Sequence, residues 1–139
     1  MSESVSWINL AETHAECGSQ DALKRVLESG RYVGGEEVEA LEEEMASWMN
    51  RPYGVAVSSG TAALELALSA MGIGHGDEVI VPAFTFPSTI NAIARTGATP
   101  VFADVEYRTG NLTTSTISRV LTSATKAVVL VHYAGSAHG

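Results

Sequence analysis

The sequence predicts an α/β domain, built on a mainly parallel sheet with flanking helices and introduced by a helical lead-in. Three observations point there. From residue 55 onward, strand-length apolar runs alternate with helix-length amphipathic ones, the pattern of βα repeats. Two of the runs, EVIV at 78–81 and AVVLV at 127–131, carry their apolar side chains without a two-residue alternation, as strands covered on both faces do. The composition is globular, with 45% hydrophobic and 17% charged residues in 139, enough chain for one ordinary core.

The lead-in spans 1–50 and holds two helices. SQDALKRVLE at 19–28 is the first, stopped by Gly30. The second, Glu36 to Met49, places Val38, Leu41, Met45 and Trp48 at helical spacing, so that one apolar stripe faces away from a run of glutamates. That run reads as a solvated face.

Residues 51–139 carry the alternation. Val55–Val57 is predicted as a short strand and Thr61–Met71 as a helix with Leu64, Leu68 and Met71 on one face. The turn GHGD introduces a strand at Glu78–Val81. A helix follows from Pro87, well placed in a first turn, to Thr96, with Gly97 at its end. Pro100–Ala103 is a strand, Thr114–Ser123 a helix, and Ala127–Val131 the last strand. Gly72, Gly74 and Gly76 form a loose G-x-G-x-G, but it follows a helix where a dinucleotide fingerprint follows a strand, so it reads as a turn.

Charge and cysteine content narrow the function. A formal net charge of -8 argues against a nucleic-acid surface, which needs a basic face. Cys17 is the single cysteine, which rules out an internal disulfide and a cysteine-rich zinc site and makes a reducing cytoplasm the expected location. MSESVSWINL lacks the basic and apolar regions of a signal peptide. No apolar run reaches the ~18–20 residues of a membrane helix, so no membrane partner is expected.

In parallel sheets, ligands bind beyond the carboxyl ends of the strands. The residues that follow the strands here are Ser58-Ser59-Gly60-Thr61, then Pro82-Ala83-Phe84-Thr85-Phe86, then Asp104, then His132-Tyr133-Ala134-Gly135. At the first turn, VSSGTAAL, a helix start leaves amide donors free and carries partial positive charge. Gly60 permits close approach of an anion, and Ser59 and Thr61 can add hydroxyl donors, so the turn suits a phosphate. A plain helix cap explains the same residues. The nucleotide-binding G-x-x-x-x-G-K-[ST] is absent. Phe86 can stack on a flat ring or pack in the core beside Phe84. His132 can be a ligand or acid/base group, or a hydrogen-bonded structural residue. Asp77 and Asp104 suit turns and caps, and Lys126 falls at the opposite end of the sheet.

The succession VSSGTAALELAL, GDEVIVPAFTFPSTINAI, GATPVFADVE and TKAVVLVHYAG, with SGRYVGG and an acidic helix upstream, resembles the DegT/StrS-type sugar aminotransferases over nearly all of the chain. The resemblance implies a fold type I aminotransferase-like large domain, here incomplete, and a pyridoxal-phosphate enzyme. Such enzymes move an amino group, usually from glutamate, onto a nucleotide-linked keto-sugar for polysaccharide or glycosylated natural products. It implies that Gly60, Thr61 and Ala62 hold the cofactor phosphate and that Phe86 stacks on its pyridine ring, and it implies a homodimer for the intact parent.

The family's chemistry also requires a lysine that forms a Schiff base and a carboxylate facing the pyridine nitrogen. Lys24 and Lys126 are the only lysines, and neither matches the family's position, nor does any acidic residue. No catalytic residue is therefore assigned and no metal site is expected. The chain is expected to be the first part of such an enzyme, ending soon after its fourth strand, with the phosphate half-site and no activity alone. Two alternatives stand beside this: half of a split enzyme, or a non-catalytic remnant that dimerises through the Val38–Trp48 stripe. The family places later strands beside its first, so Val55–Val57 is expected to lack its sheet neighbours.

Overall fold

The computed structural model describes residues 17–137; MSESVSWINL lies outside them. The chain divides into two compact units at Ala56/Val57.

In the first unit, α1 (Ser19–Ser29) and α2 (Glu36–Trp48) form where predicted. Both ends of α1 are held by glycines, Gly18 and Gly30. Three glutamates, Glu36, Glu37 and Glu39, occupy the first turn of α2, where their charge complements the helix dipole. Arg25 Nε donates to Glu37 at 2.6 Å. That hydrogen bond raises the Arg25 pKa and holds the Glu37 carboxyl below the usual carboxylate range. The apolar stripe of α2 is on the surface, with Val38, Leu41, Met45 and Trp48 between 37% and 78% exposed; Ala46 is the helix's buried residue.

The segment after α2 is not a strand. The carboxylate of Glu42 accepts the amide of Ala56 at 2.7 Å, taking the donor at the middle of the predicted Val55–Val57 run. No described residue pairs with that run as a sheet neighbour. Gly54 passes so close to α2 that a Cβ there would collide with the Glu42 carbonyl.

The second unit is a three-stranded parallel sheet in the order β2-β1-β3, where β1 is Glu78–Pro82, β2 Thr99–Ala103 and β3 Thr125–Val128. The register pairs Ile80 with Val101 on one side and with Val128 on the other. The connections are helical: α4 (Pro87–Arg95) between β1 and β2, and α5 (Thr114–Ser118) between β2 and β3. Before them, α3 (Gly60–Ala70) precedes β1.

Alternation along β1 divides the core in two. Val79 and Val81 pack with Leu68 of α3, Ile93 of α4, Ile73 and Ala98. Ile80 turns the other way, onto Ala103 and Leu112, with Ile117 of α5 half-buried against them. Both faces of β1 are thus covered, which explains its unbroken apolar run. Val79, Ile80, Val81 and Ile93 are fully buried, each burial favouring the fold by about 1.5–3 kcal/mol relative to exposure.

Two elements of the second unit also differ from prediction. The helix expected at Thr114–Ser123 stops at Ser118. Its sequence is rich in β-branched and hydroxyl residues, weak helix formers, and two hydroxyls divert the backbone. Thr125 Oγ1 accepts the Thr122 amide at 3.0 Å, and Thr122 Oγ1 accepts that of Ala124 at 3.1 Å. The strand expected at Ala127–Val131 begins earlier and ends at Val128. The Val129 amide still reaches the Ile80 carbonyl at 2.9 Å. The next donor in that ladder is Pro82, which has no N–H, so pairing stops.

Candidate functional site

All three strands run in parallel, so their carboxyl ends share one rim. Ala83 donates to the Ala103 carbonyl at 2.9 Å as β1 and β2 finish. Beyond the rim lie the loop bearing Phe84, Thr85 and Phe86, the Asp104 turn, and the segment around Tyr133.

Ser59 caps α3 with extended backbone, and its Oγ accepts the Ala62 amide at 3.2 Å. The Ala63 amide bonds the Ser59 carbonyl at 3.0 Å. The amides of Gly60 and Thr61 find no acceptor among the described residues. Capping and anion binding are therefore compatible here. The Ser59 oxygen serves Ala62 while its hydroxyl proton remains available, and two main-chain donors stay free. No acidic residue occupies the first turn of α3, in contrast to α2. A Cβ built on Gly60 meets nothing within 4 Å, and its φ is not positive. Neither packing nor backbone conformation within the chain demands glycine at this position.

Phe86 is at the N-cap of α4 and 74% exposed, so it does not pack in the core. Phe84 meets Tyr133 instead, with ring centroids 4.7 Å apart and planes tilted by 39°. Thr85 and Thr89 hydroxyls share a hydrogen bond of 3.0 Å across the start of α4.

The remaining candidates have local roles. Asp77 Oδ2 accepts the Gly74 amide at 3.0 Å, closing the glycine-rich turn, and Asp104 Oδ1 accepts the Val105 amide at 2.9 Å. His132 is exposed, with no side-chain hydrogen bond among the described residues. Lys24 lies 3.9 Å from Glu28 along α1. Lys126 is exposed within β3, near its amino end. Among the described residues no group of three or more His, Cys, Asp or Glu side chains is arranged to hold a metal, and no helix is long and apolar enough to cross a membrane.

A model of the DegT/DnrJ/EryC1/StrS aminotransferase family matches residues 15–138. The chain belongs to this family. Among the relatives of this family member is the spore coat polysaccharide biosynthesis protein SpsC of Bacillus subtilis (strain 168), 50% identical over 113 residues, which are 81% of this chain and 29% of SpsC. Among solved structures, S. venezuelae DesV superposes with a TM-score of 0.89 at 37% identity, over 99% of this chain and 38% of that one. The aminotransferase from Psychrobacter cryohalolentis gives 0.79 at 42% identity, over 97% of this chain and 32% of that one. The chain therefore spans about three- to four-tenths of the length of these DegT/DnrJ/EryC1/StrS relatives. Its fold is that of the fold type I aminotransferases, represented by part of the large domain.

For this family member, sequence reading picked out the α3 turn and Phe86 but passed over Asn111. That residue is 4% exposed, and its amide groups hold the segment around Tyr133. Its signal was an amide-bearing residue after a glycine in a loop, which a turn explains equally well.

Proposed function

We propose that this chain supplies the phosphate half-site of a pyridoxal-phosphate-dependent aminotransferase. In the intact parent, an expected cytoplasmic homodimer, the amino group would come from glutamate and pass to a nucleotide-linked keto-sugar. Residues 51–139 act as the first part of the cofactor-binding large domain. The observation that carries this reading is the start of α3: two free amides at Gly60 and Thr61, and open space where Gly60 lacks a side chain. Membership in an aminotransferase family supports it.

The residues present fit the cofactor. The Gly60 and Thr61 amides and the Ser59 hydroxyl would hold its phosphate, Ala62 completing the turn, and the exposed ring of Phe86 would lie against its pyridine. When bound, pyridoxal phosphate supplies the electron-accepting ring that makes exchange of an amino group feasible. This chain binds and orients that group. Lys126 lies near the amino end of β3, opposite the rim, and neither Lys24 nor Lys126 is assigned the covalent attachment.

The test is a titration of the chain with pyridoxal phosphate and with pyridoxal, followed by absorbance. Binding is expected for the phosphate ester only, weakened about threefold to tenfold in Phe86→Ala, the range of an aromatic contact. Borohydride treatment and mass spectrometry should find no more modification of Lys24 or Lys126 with pyridoxal phosphate than in a heat-denatured control. Equal binding of pyridoxal, or a specific adduct with turnover, would overturn the reading.

A further inference from the structure

We propose that Asn111 is a positioning residue for the carboxyl rim, holding the Tyr133 ring against Phe84 and so steadying the loop that carries Phe86. Asn111 is one of two buried polar residues among the described residues, at 4% exposed. Each of its polar groups has a partner. Its main-chain amide donates to Thr109 Oγ1 at 3.3 Å, and its carbonyl accepts the Glu106 amide at 2.9 Å. Its side-chain Oδ1 accepts the Tyr133 amide at 2.9 Å, and Nδ2 donates to the Ser136 carbonyl at 3.0 Å. The last two bonds span 22 and 25 residues of sequence, joining the loop after β2 to the segment after β3.

Those bonds put Tyr133 where it is. Its ring lies over Gly110, where an added Cβ would sit 3.1 Å from the Tyr133 ring. The backbone of Gly110, at φ +70°, also disfavours a side chain. The Phe84 ring also meets it, with centroids 4.7 Å apart. Removing this buried carboxamide, whose oxygen and nitrogen are both bonded, leaves two main-chain partners without it. Among the described residues no sheet hydrogen bond reaches beyond Val129 in this segment, so Asn111 takes over where the ladder ends.

Amide hydrogen exchange on the whole chain tests this directly. In Asn111→Leu the Tyr133 amide is expected to exchange about tenfold faster or more, while the Val129 amide, bonded to Ile80, keeps its rate. The near-UV circular dichroism of tyrosine should fall to the level of Tyr133→Leu, since Tyr32, Tyr53 and Tyr107 are all far more exposed than Tyr133. Unchanged Tyr133 exchange and an unchanged tyrosine band overturn the proposal. If Asn111→Leu also frees Val129, Asn111→Asp replaces it. The carboxylate still accepts from Tyr133 but faces the Ser136 carbonyl as a second acceptor, so the tyrosine band should weaken with Tyr133 still protected. A wild-type spectrum overturns the proposal there too. A last arm rests on the reading above: pyridoxal phosphate should bind Asn111→Leu more weakly, by about threefold. Absence of binding in the wild type sinks that reading alone, because exchange and dichroism judge the clamp without ligand.

Discussion

Arg95 Nε lies 2.6 Å from Glu65 Oε2, fastening the end of α4 to the second turn of α3. These are the two helices whose starts hold Phe86 and Ser59-Gly60. Leu68 of α3 and Ile93 of α4 share one buried apolar cluster, which supplies the adhesion, and the ion pair adds a fixed point at the surface. Because Arg95 is 67% exposed, its energetic weight is small. Glu65→Ala should cost about 0.2–1 kcal/mol in urea denaturation at low salt, and the loss should shrink at high salt. The exchanged pair Glu65→Arg with Arg95→Glu should recover most of it. A loss that salt does not reduce would mean that Glu65 contributes by packing.

The start of α3 separates stability from binding. Ser59→Ala removes the cap on Ala62, and the expected loss is about 1 kcal/mol, with Ser59→Gly costing only a few tenths. Gly60→Ala should leave stability unchanged or slightly raised, since its backbone is helical and its side is open. The same substitution should weaken binding of pyridoxal phosphate by about tenfold or more, because the new methyl stands where an anion must approach the amides. Chemical denaturation and a binding titration on the two variants measure both quantities. A Gly60→Ala chain that binds normally would show that the open side of α3 is not a ligand's place.

Ile93 decides whether the second unit holds together. It is fully buried between α4 and the sheet, against Val79 and Val81. Ile93→Ala should destabilise by about 2–5 kcal/mol, transfer and cavity terms together. Phe102→Ala, at a residue half exposed on β2, should cost clearly less. Equal losses in the two melting curves would place the core elsewhere.

Much of the local structure was readable from the chain. Helix α1 is bounded by Gly18 and Gly30, α4 by Pro87 and Thr96, and the four longer helices among the described residues lie within a residue or two of their predicted spans. The anion-suited turn was readable too, because an N-cap serine followed by glycine is a local arrangement. Phe86 was ambiguous in sequence, since an aromatic after a strand packs or stacks with equal ease; its exposure depends on how Phe84 and Tyr133 meet.

The sequence by itself determined the βα alternation, the helix limits and the free donors at the head of α3. These depend on neighbours within about four residues, through capping, propensity and hydrophobic period. Tertiary structure alone decided which apolar runs became strands. Val55–Val57 gave its central amide to Glu42, and β3 stopped where Pro82 could not donate. It also brought Asn111 to Tyr133 and Ser136 across more than twenty residues. The physical reason is the same in each case: a strand or a buried carboxamide is defined by the partner that satisfies its hydrogen bonds, and that partner is distant in the chain.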